Sequence, residues 1–186
     1  MKESIKVLDN FLSPSYSDHL ENLINEGVLP LFFSGSTYLN ESNTNDPRIK
    51  NEKEAFQLCH GFWQDGVVRS TFWTYVEPII YNFMAMTNVT KAENLSRCKL
   101  NLNYRDTSYS ENEHFPIHAD KQEGITALYY VNDSDGDTLF FNNDKEIIYS
   151  FTPKKGALVY FPSYILHAGQ PPKANNYRAV INLNWK

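Results

Sequence analysis

His118-Ala119-Asp120, followed shortly by Ile125-Thr126-Ala127-Leu128-Tyr129-Tyr130-Val131, is the stretch whose reading decides the fold. Phe115 and Ile117 before it and the β-branched and aromatic run after it favour extended chain. On a strand, side chains alternate with period two, so His118 and Asp120 fall on one face. A second histidine, His167, follows after 46 intervening residues, and Arg178 stands 11 positions further on. Two imidazoles and one carboxylate on a common face hold a divalent metal and leave coordination positions open; the set suits Fe(II) but also holds zinc or manganese.

The ordered set His118-x-Asp120, His167, Arg178 resembles the iron- and 2-oxoglutarate-dependent dioxygenases, specifically the prolyl-4-hydroxylase-like branch. Three further phrases carry the likeness: Leu128-Tyr129-Tyr130-Val131-Asn132, Gly136-Asp137-Thr138-Leu139-Phe140-Phe141, and the run from Pro153 through Pro162-Ser163. It is specific over the C-terminal half and only general before residue 97. It resembles the small stand-alone versions found in bacteria and their phages. The resemblance implies His118, Asp120 and His167 as metal ligands and Arg178 as the partner of the distal carboxylate of 2-oxoglutarate. It also implies Fe(II), 2-oxoglutarate and dioxygen as the reacting set, with ascorbate as an optional reductant. Many relatives place a hydroxyl two residues after this arginine, where Val180 stands here. Tyr130, Tyr104 and, more weakly, Asn182 are therefore the candidates to help hold the carboxylate. The implied reaction is hydroxylation of an unactivated carbon, with peptidyl proline as the leading substrate class and succinate and carbon dioxide released. Asp120 itself favours hydroxylation, since halogenating relatives lack this carboxylate.

Bulk properties agree with one soluble unit. The 186 residues suffice for one domain with a sizeable core. We read residues 1–96 as helical support plus an irregular loop, and 97–186 as the core. A net charge of -5 offers no electrostatic footprint for nucleic acid or an anionic membrane. The first ten residues lack the apolar run of a signal peptide, and Cys59 and Cys98 have no spaced partners, so a reducing cytoplasm is expected.

The pattern predicts a short strand at 5–8 and a helix from the Ser13 N-cap and Pro14 to a stop at Gly27. A polar stretch over 34–54 reads as a surface loop, with a lid as the sharper alternative. A strand follows near 55–63, then a helix capped by Ser70 with an apolar stripe from Phe72 to Met84, bent or begun at Pro78. From residue 97 short strands alternate with turns, near 97–104, 114–120, 124–132, 137–142, 146–150, 156–161, 164–168 and 177–185. Eight strands in two sheets make a double-stranded β-helix, the jelly-roll architecture of cupins, so the class is mainly β with α.

Rival chemistry is weaker. His114 and His118 have zincin spacing, but Pro116 lies between them and no Glu follows His114; His114 is expected at the rim. His19 reads as a surface residue and His60 as a partly buried one satisfied by backbone. Along 178–185, Arg178, Val180, Asn182 and Asn184 share one face and Ala179, Ile181, Leu183 and Trp185 the other; the resemblance assigns Arg178 inward. The substrate is a protein, peptide or small molecule. Two alternatives stay open: an oxygenase acting on a free amino acid or nucleobase, and a non-enzymatic jelly-roll binding module that keeps a metal as a structural staple.

Overall fold

A computed structural model describes residues 2–35, 56–88 and 90–186. The elements run β1 (Lys6–Leu8), α1 (Pro14–Asn25), β2 (Phe32–Ser34), β3 (Gln57–Gln64), β4 (Val67–Val68), α2 (Glu77–Thr87), β5 (Leu95–Tyr104) and β6 (Ile125–Tyr130). They continue with β7 (Thr138–Phe141), β8 (Ile147–Phe151), β9 (Leu158–Pro162), β10 (Leu166–Gly169) and β11 (Tyr177–Trp185). The strands form two antiparallel sheets, a larger one ordered β1-β9-β6-β11-β5-β3-β2 with β4 against β3, and a smaller one ordered β10-β7-β8. This is the double-stranded β-helix.

Local chemistry explains most boundaries. Pro14 opens α1 with its fixed φ, and Gly27, at φ 67°, follows the helix end. The single helix expected after Ser70 is divided. Ser70 Oγ accepts from the Phe72 N–H at 3.0 Å and caps a 3-10 turn over Thr71–Tyr75, and α2 starts beyond it. Pro78 lies in the first turn of α2, where its missing N–H costs nothing. The expected lid or loop over 34–54 lies, beyond Gly35, outside the described residues.

The expected strand at 114–120 is not one. Pro116 cannot donate to a ladder, and the segment meets β10 through an isolated bridge between His118 and His167 and a bond from the Phe115 N–H to the Gly169 carbonyl at 2.9 Å, without a continuous ladder. His114 is not at a rim either. It is fully buried against Phe141, with ring centroids 5.2 Å apart, and its Nδ1 lies 2.6 Å from the Phe115 carbonyl.

Parity sorts the large sheet into two faces. Ala179, Ile181, Leu183 and Trp185 join the core under the helices, where Phe83 of α2 stacks on Trp185 at 4.9 Å. Burying an aromatic of this kind contributes about 3 kcal/mol. The opposite face of β11 turns toward the small sheet, and Val180 packs there with Leu128, Tyr130, Phe140, Val159 and Phe161. Arg178, Asn182 and Asn184 share that inward face. His60 is held by the Pro30 carbonyl at 2.6 Å and by Ser70 Oγ at 2.7 Å, so it braces β3 and takes no part in the site.

Candidate metal and carboxylate site

The bridge between residues 118 and 167 brings the two histidines together. Backbone N–H groups of His118 and His167 each donate to the other's carbonyl, at 3.0 and 2.9 Å, and the imidazoles face each other with centroids 4.5 Å apart. Asp120 reaches the same point, with Oδ2 3.8 Å from His167 Nε2. One ligand atom from each of the three residues lies within 4.8 Å of the others. Among the described residues this is the one such group placed to hold a metal ion.

Hydrogen bonding sets the protonation of each donor. His118 Nδ1 donates to the Pro116 carbonyl and His167 Nδ1 to the Ile165 carbonyl, both at 3.0 Å. A carbonyl accepts only from N–H, so both rings are fixed as the Nδ1–H tautomer and Nε2 keeps its lone pair for a metal. Burial, with His167 beside it, pulls the His118 pKa down to about 4 against the opposing pull of Asp120, so the ring is neutral at pH 7. Burial works to raise Asp120, but His167, His118, Arg97 and the Thr126 hydroxyl outweigh it and hold the carboxyl at about 2. A neutral His118 and an ionised Asp120 are the protonation states that a divalent metal requires of them.

Asp120 is clamped from both sides. Arg97 Nη2 donates to Oδ1 at 3.1 Å, while Asn184 Nδ2 at 3.1 Å and Thr126 Oγ1 at 2.9 Å donate to Oδ2. Arg97 Nε also donates to Asn184 Oδ1 at 2.8 Å, which closes the ring. The carboxylate thus keeps one orientation without a metal, an outer support typical of metal ligands. Asn184 was legible as sharing a face with Arg178. Arg97 and Thr126 were not, because only the pairing of β5, β11 and β6 sets Arg97 against Asn184 and Asn184 against Thr126.

Arg178 is 6% exposed in the same cavity. Its Nε donates to the Gly136 carbonyl at 2.9 Å and its Nη2 to Thr138 Oγ1 at 2.7 Å, and its guanidinium carbon lies 5.8 Å from the centre of the Tyr130 ring. Among the described residues no carboxylate forms an ion pair with it. Burial lowers its pKa, with Tyr130 and Asp137 pulling the other way, but an arginine stays cationic throughout. A buried cation without a counter-charge is costly, and an anionic ligand would relieve that cost. Thr138, which the sequence reading missed, orients Arg178 and also bonds the Tyr130 hydroxyl at 2.8 Å.

His118, His167, Thr138, Gly169, Arg178, Val180 and Asn182 all line one cavity, open at its mouth. Of the three further candidates for holding a carboxylate, Asn182 lines it. Tyr130 is fully buried behind Arg178 and touches the site through that residue and Thr138. Tyr104 is brought elsewhere: it is 55% exposed and borders a neighbouring depression with Phe56 and Pro171. Asn103 stands opposite the inward Arg178, so Tyr104 carries outward parity.

Residues 104–186 match the family model of the 2OG-Fe(II) oxygenase superfamily. No protein of curated function matches the chain in sequence. Solved structures match its fold. One is an oxidoreductase of the 2OG-Fe(II) oxygenase family from Burkholderia pseudomallei, with 13% identity, 100% of this chain and 86% of that chain covered, and a TM-score of 0.69. A Pseudomonas putida prolyl-4-hydroxylase shows 14% identity, coverage of 98% and 92%, and a TM-score of 0.62. A Trichoplax adhaerens prolyl hydroxylase, in complex with a peptide fragment of the hypoxia inducible factor oxygen degradation domain, shows 20% identity, coverage of 98% and 83%, and a TM-score of 0.62. Residues 104–186 thus carry a sequence likeness to the 2OG-Fe(II) oxygenase superfamily, and the chain shares the fold of these solved structures.

Proposed function

We propose that the chain, read as a single oxygenase domain over residues 1–186, hydroxylates an unactivated carbon of a peptide or small-molecule substrate. The observation that carries this reading is the placement of a buried, unpaired arginine in the same cavity as a facial set of metal donors. A structural metal staple needs only the donors, and a binding module gains nothing from holding a bare cation beside them.

Each residue then has a part. Nε2 of His118, Nε2 of His167 and one oxygen of Asp120 would hold Fe(II), and Arg178 would take the distal carboxylate of 2-oxoglutarate. When bound, the iron supplies the oxidative decarboxylation of 2-oxoglutarate by dioxygen, which inserts one oxygen atom into a C–H bond and leaves succinate and carbon dioxide. Arg97, Thr126 and Asn184 keep the Asp120 carboxylate oriented and ionised. Thr138 and the Gly136 carbonyl aim the guanidinium, whose fork matches a carboxylate. Val180 and Leu128 give the cavity an apolar wall that limits water.

Peptidyl proline is the first substrate class to try, because two of the similar structures are prolyl hydroxylases and one of those holds a peptide. The test is coupled turnover: wild-type protein with Fe(II), 2-oxoglutarate and proline-rich peptides, with succinate and peptide mass followed together. A peptide gain of one oxygen per succinate is expected. Asp120→Ala should abolish it, and equal turnover by that variant would sink the assignment.

A further inference from the structure

The wall of the cavity on the β3–β5 side is made of carboxamides. Gln57, Asn101, Asn103 and Asn182 all line it. Register places Asn101 between Cys59 and Val180, and Asn182 between Lys99 and Leu128. Asn101 and Asn182 are therefore diagonal neighbours on one face of paired strands. Both Oδ1 atoms are buried without a hydrogen-bond partner, and Asn182 as a whole is 6% exposed. A buried carbonyl without a donor costs on the order of 1–3 kcal/mol, and two beside a metal site call for an explanation. Neither atom meets a requirement of the fold: the β5–β11 ladder is complete without them.

We infer that Asn101 and Asn182 form a specificity-determining subsite that accepts hydrogen bonds from neutral N–H groups of the substrate. The inference rests on the oxygenase reading and narrows it to a substrate class. Charge selects among donors. Lys99 stands opposite Asn182, forms no ion pair among the described residues, and has Arg97 beside it on β5. With Arg97 spent on Asp120, the Lys99 cation disfavours an ammonium or guanidinium donor and leaves a carboxamide-type N–H as the fitting group. A proline ring within a peptide carries no N–H. On a peptide substrate the subsite reads a neighbouring amide and not the ring itself.

The test uses the full chain loaded with Mn(II) and 2-oxoglutarate under nitrogen. Acetamide, N,N-dimethylacetamide and methylammonium are titrated in turn, and the relaxation of their methyl protons by the metal is measured. Saturable binding of acetamide in the millimolar range is expected, with the other two probes at least about tenfold weaker, the value of roughly two neutral hydrogen bonds. Asn101→Leu and Asn182→Leu should each weaken acetamide severalfold. They should also raise the melting temperature of the ligand-free protein, because the substitution removes an unsatisfied carbonyl at nearly constant volume. A merely structural asparagine would instead lose stability. Equal binding of acetamide and its dimethyl derivative would mean that the carboxamides present N–H and not oxygen, and would overturn the inference. Absence of saturable acetamide binding would overturn it as well. Calorimetry of 2-oxoglutarate on the same wild-type sample separates the two readings: retained binding with no acetamide preference removes the subsite alone, and lost binding removes the oxygenase reading.

Discussion

Replacing Arg178 is the sharpest perturbation of the proposed carboxylate site. Its guanidinium has five N–H hydrogens. One on Nε and one on Nη2 are spent on the Gly136 carbonyl and Thr138 Oγ1, which leaves three for a ligand. A carboxylate can take two of these as charge-assisted bonds, each contributing roughly 1.5–3 kcal/mol. Arg178→Met should therefore weaken 2-oxoglutarate by about a hundredfold or more, and Arg178→Lys, which keeps charge but loses the fork, by less. The folded protein should tolerate the change. Methionine removes an unpaired buried cation, and that gain offsets the Gly136 and Thr138 groups left without a donor. Anaerobic calorimetry on Co(II)-loaded protein reads the affinity, and a melting curve without ligand reads the fold. Binding by Arg178→Met within about threefold of wild type, from protein that melts normally, would refute the role given to this residue.

Other expectations follow from the same geometry. Asn184→Leu removes one donor from Asp120 and one acceptor from Arg97, and should weaken Co(II) by about ten- to a hundredfold in a metal titration while 2-oxoglutarate contacts at Arg178 persist. Gly169 has ordinary space for a Cβ, whose nearest neighbour is Arg178 Nη1 at 3.5 Å. Gly169→Val should therefore fold yet lose most 2-oxoglutarate binding, because the larger side chain fills the approach to the guanidinium. In metal-free protein His118 has a folded pKa near 4 against an ordinary 6.5, so the unfolded chain binds its proton first. Stability should fall between about pH 6.5 and 4, by on the order of 3 kcal/mol, and saturating metal should steepen the fall, because acid also weakens metal binding to the folded state. Asp120 stays ionised until about pH 2 and adds nothing to the loss in that window. Denaturant unfolding at stepped pH values measures both.

Much of this was legible in the chain because period and motif act locally. The His118-x-Asp120 spacing, the second histidine and the arginine could be read without a partner strand, and β11 begins and ends where its alternation predicted. Parity on β11 separated two faces but did not say which was inner, since Val180 and Ile181 are equally apolar. Residues 114–120 misled because a run of Phe, Ile and His suits a strand, while Pro116 denies it a ladder. Tyr104 was drawn toward the site by its place beside the inner residues; counting from Asn103 would have turned it outward. Arg97, Thr126 and Thr138 carry no motif, and only the pairing of distant strands and the packing of the two sheets bring them to Asp120 and Arg178. No helix among the described residues is long and apolar enough to cross a membrane.

The central claim is that His118, Asp120 and His167 hold Fe(II) beside a co-substrate anchored by Arg178. Metal-free protein mixed anaerobically with Fe(II) and 2-oxoglutarate should develop the visible charge-transfer band of the chelate, then release succinate slowly on exposure to oxygen. Folded protein that binds Fe(II) but gives neither band nor succinate would contradict the account and leave a metal-stapled binding module in its place.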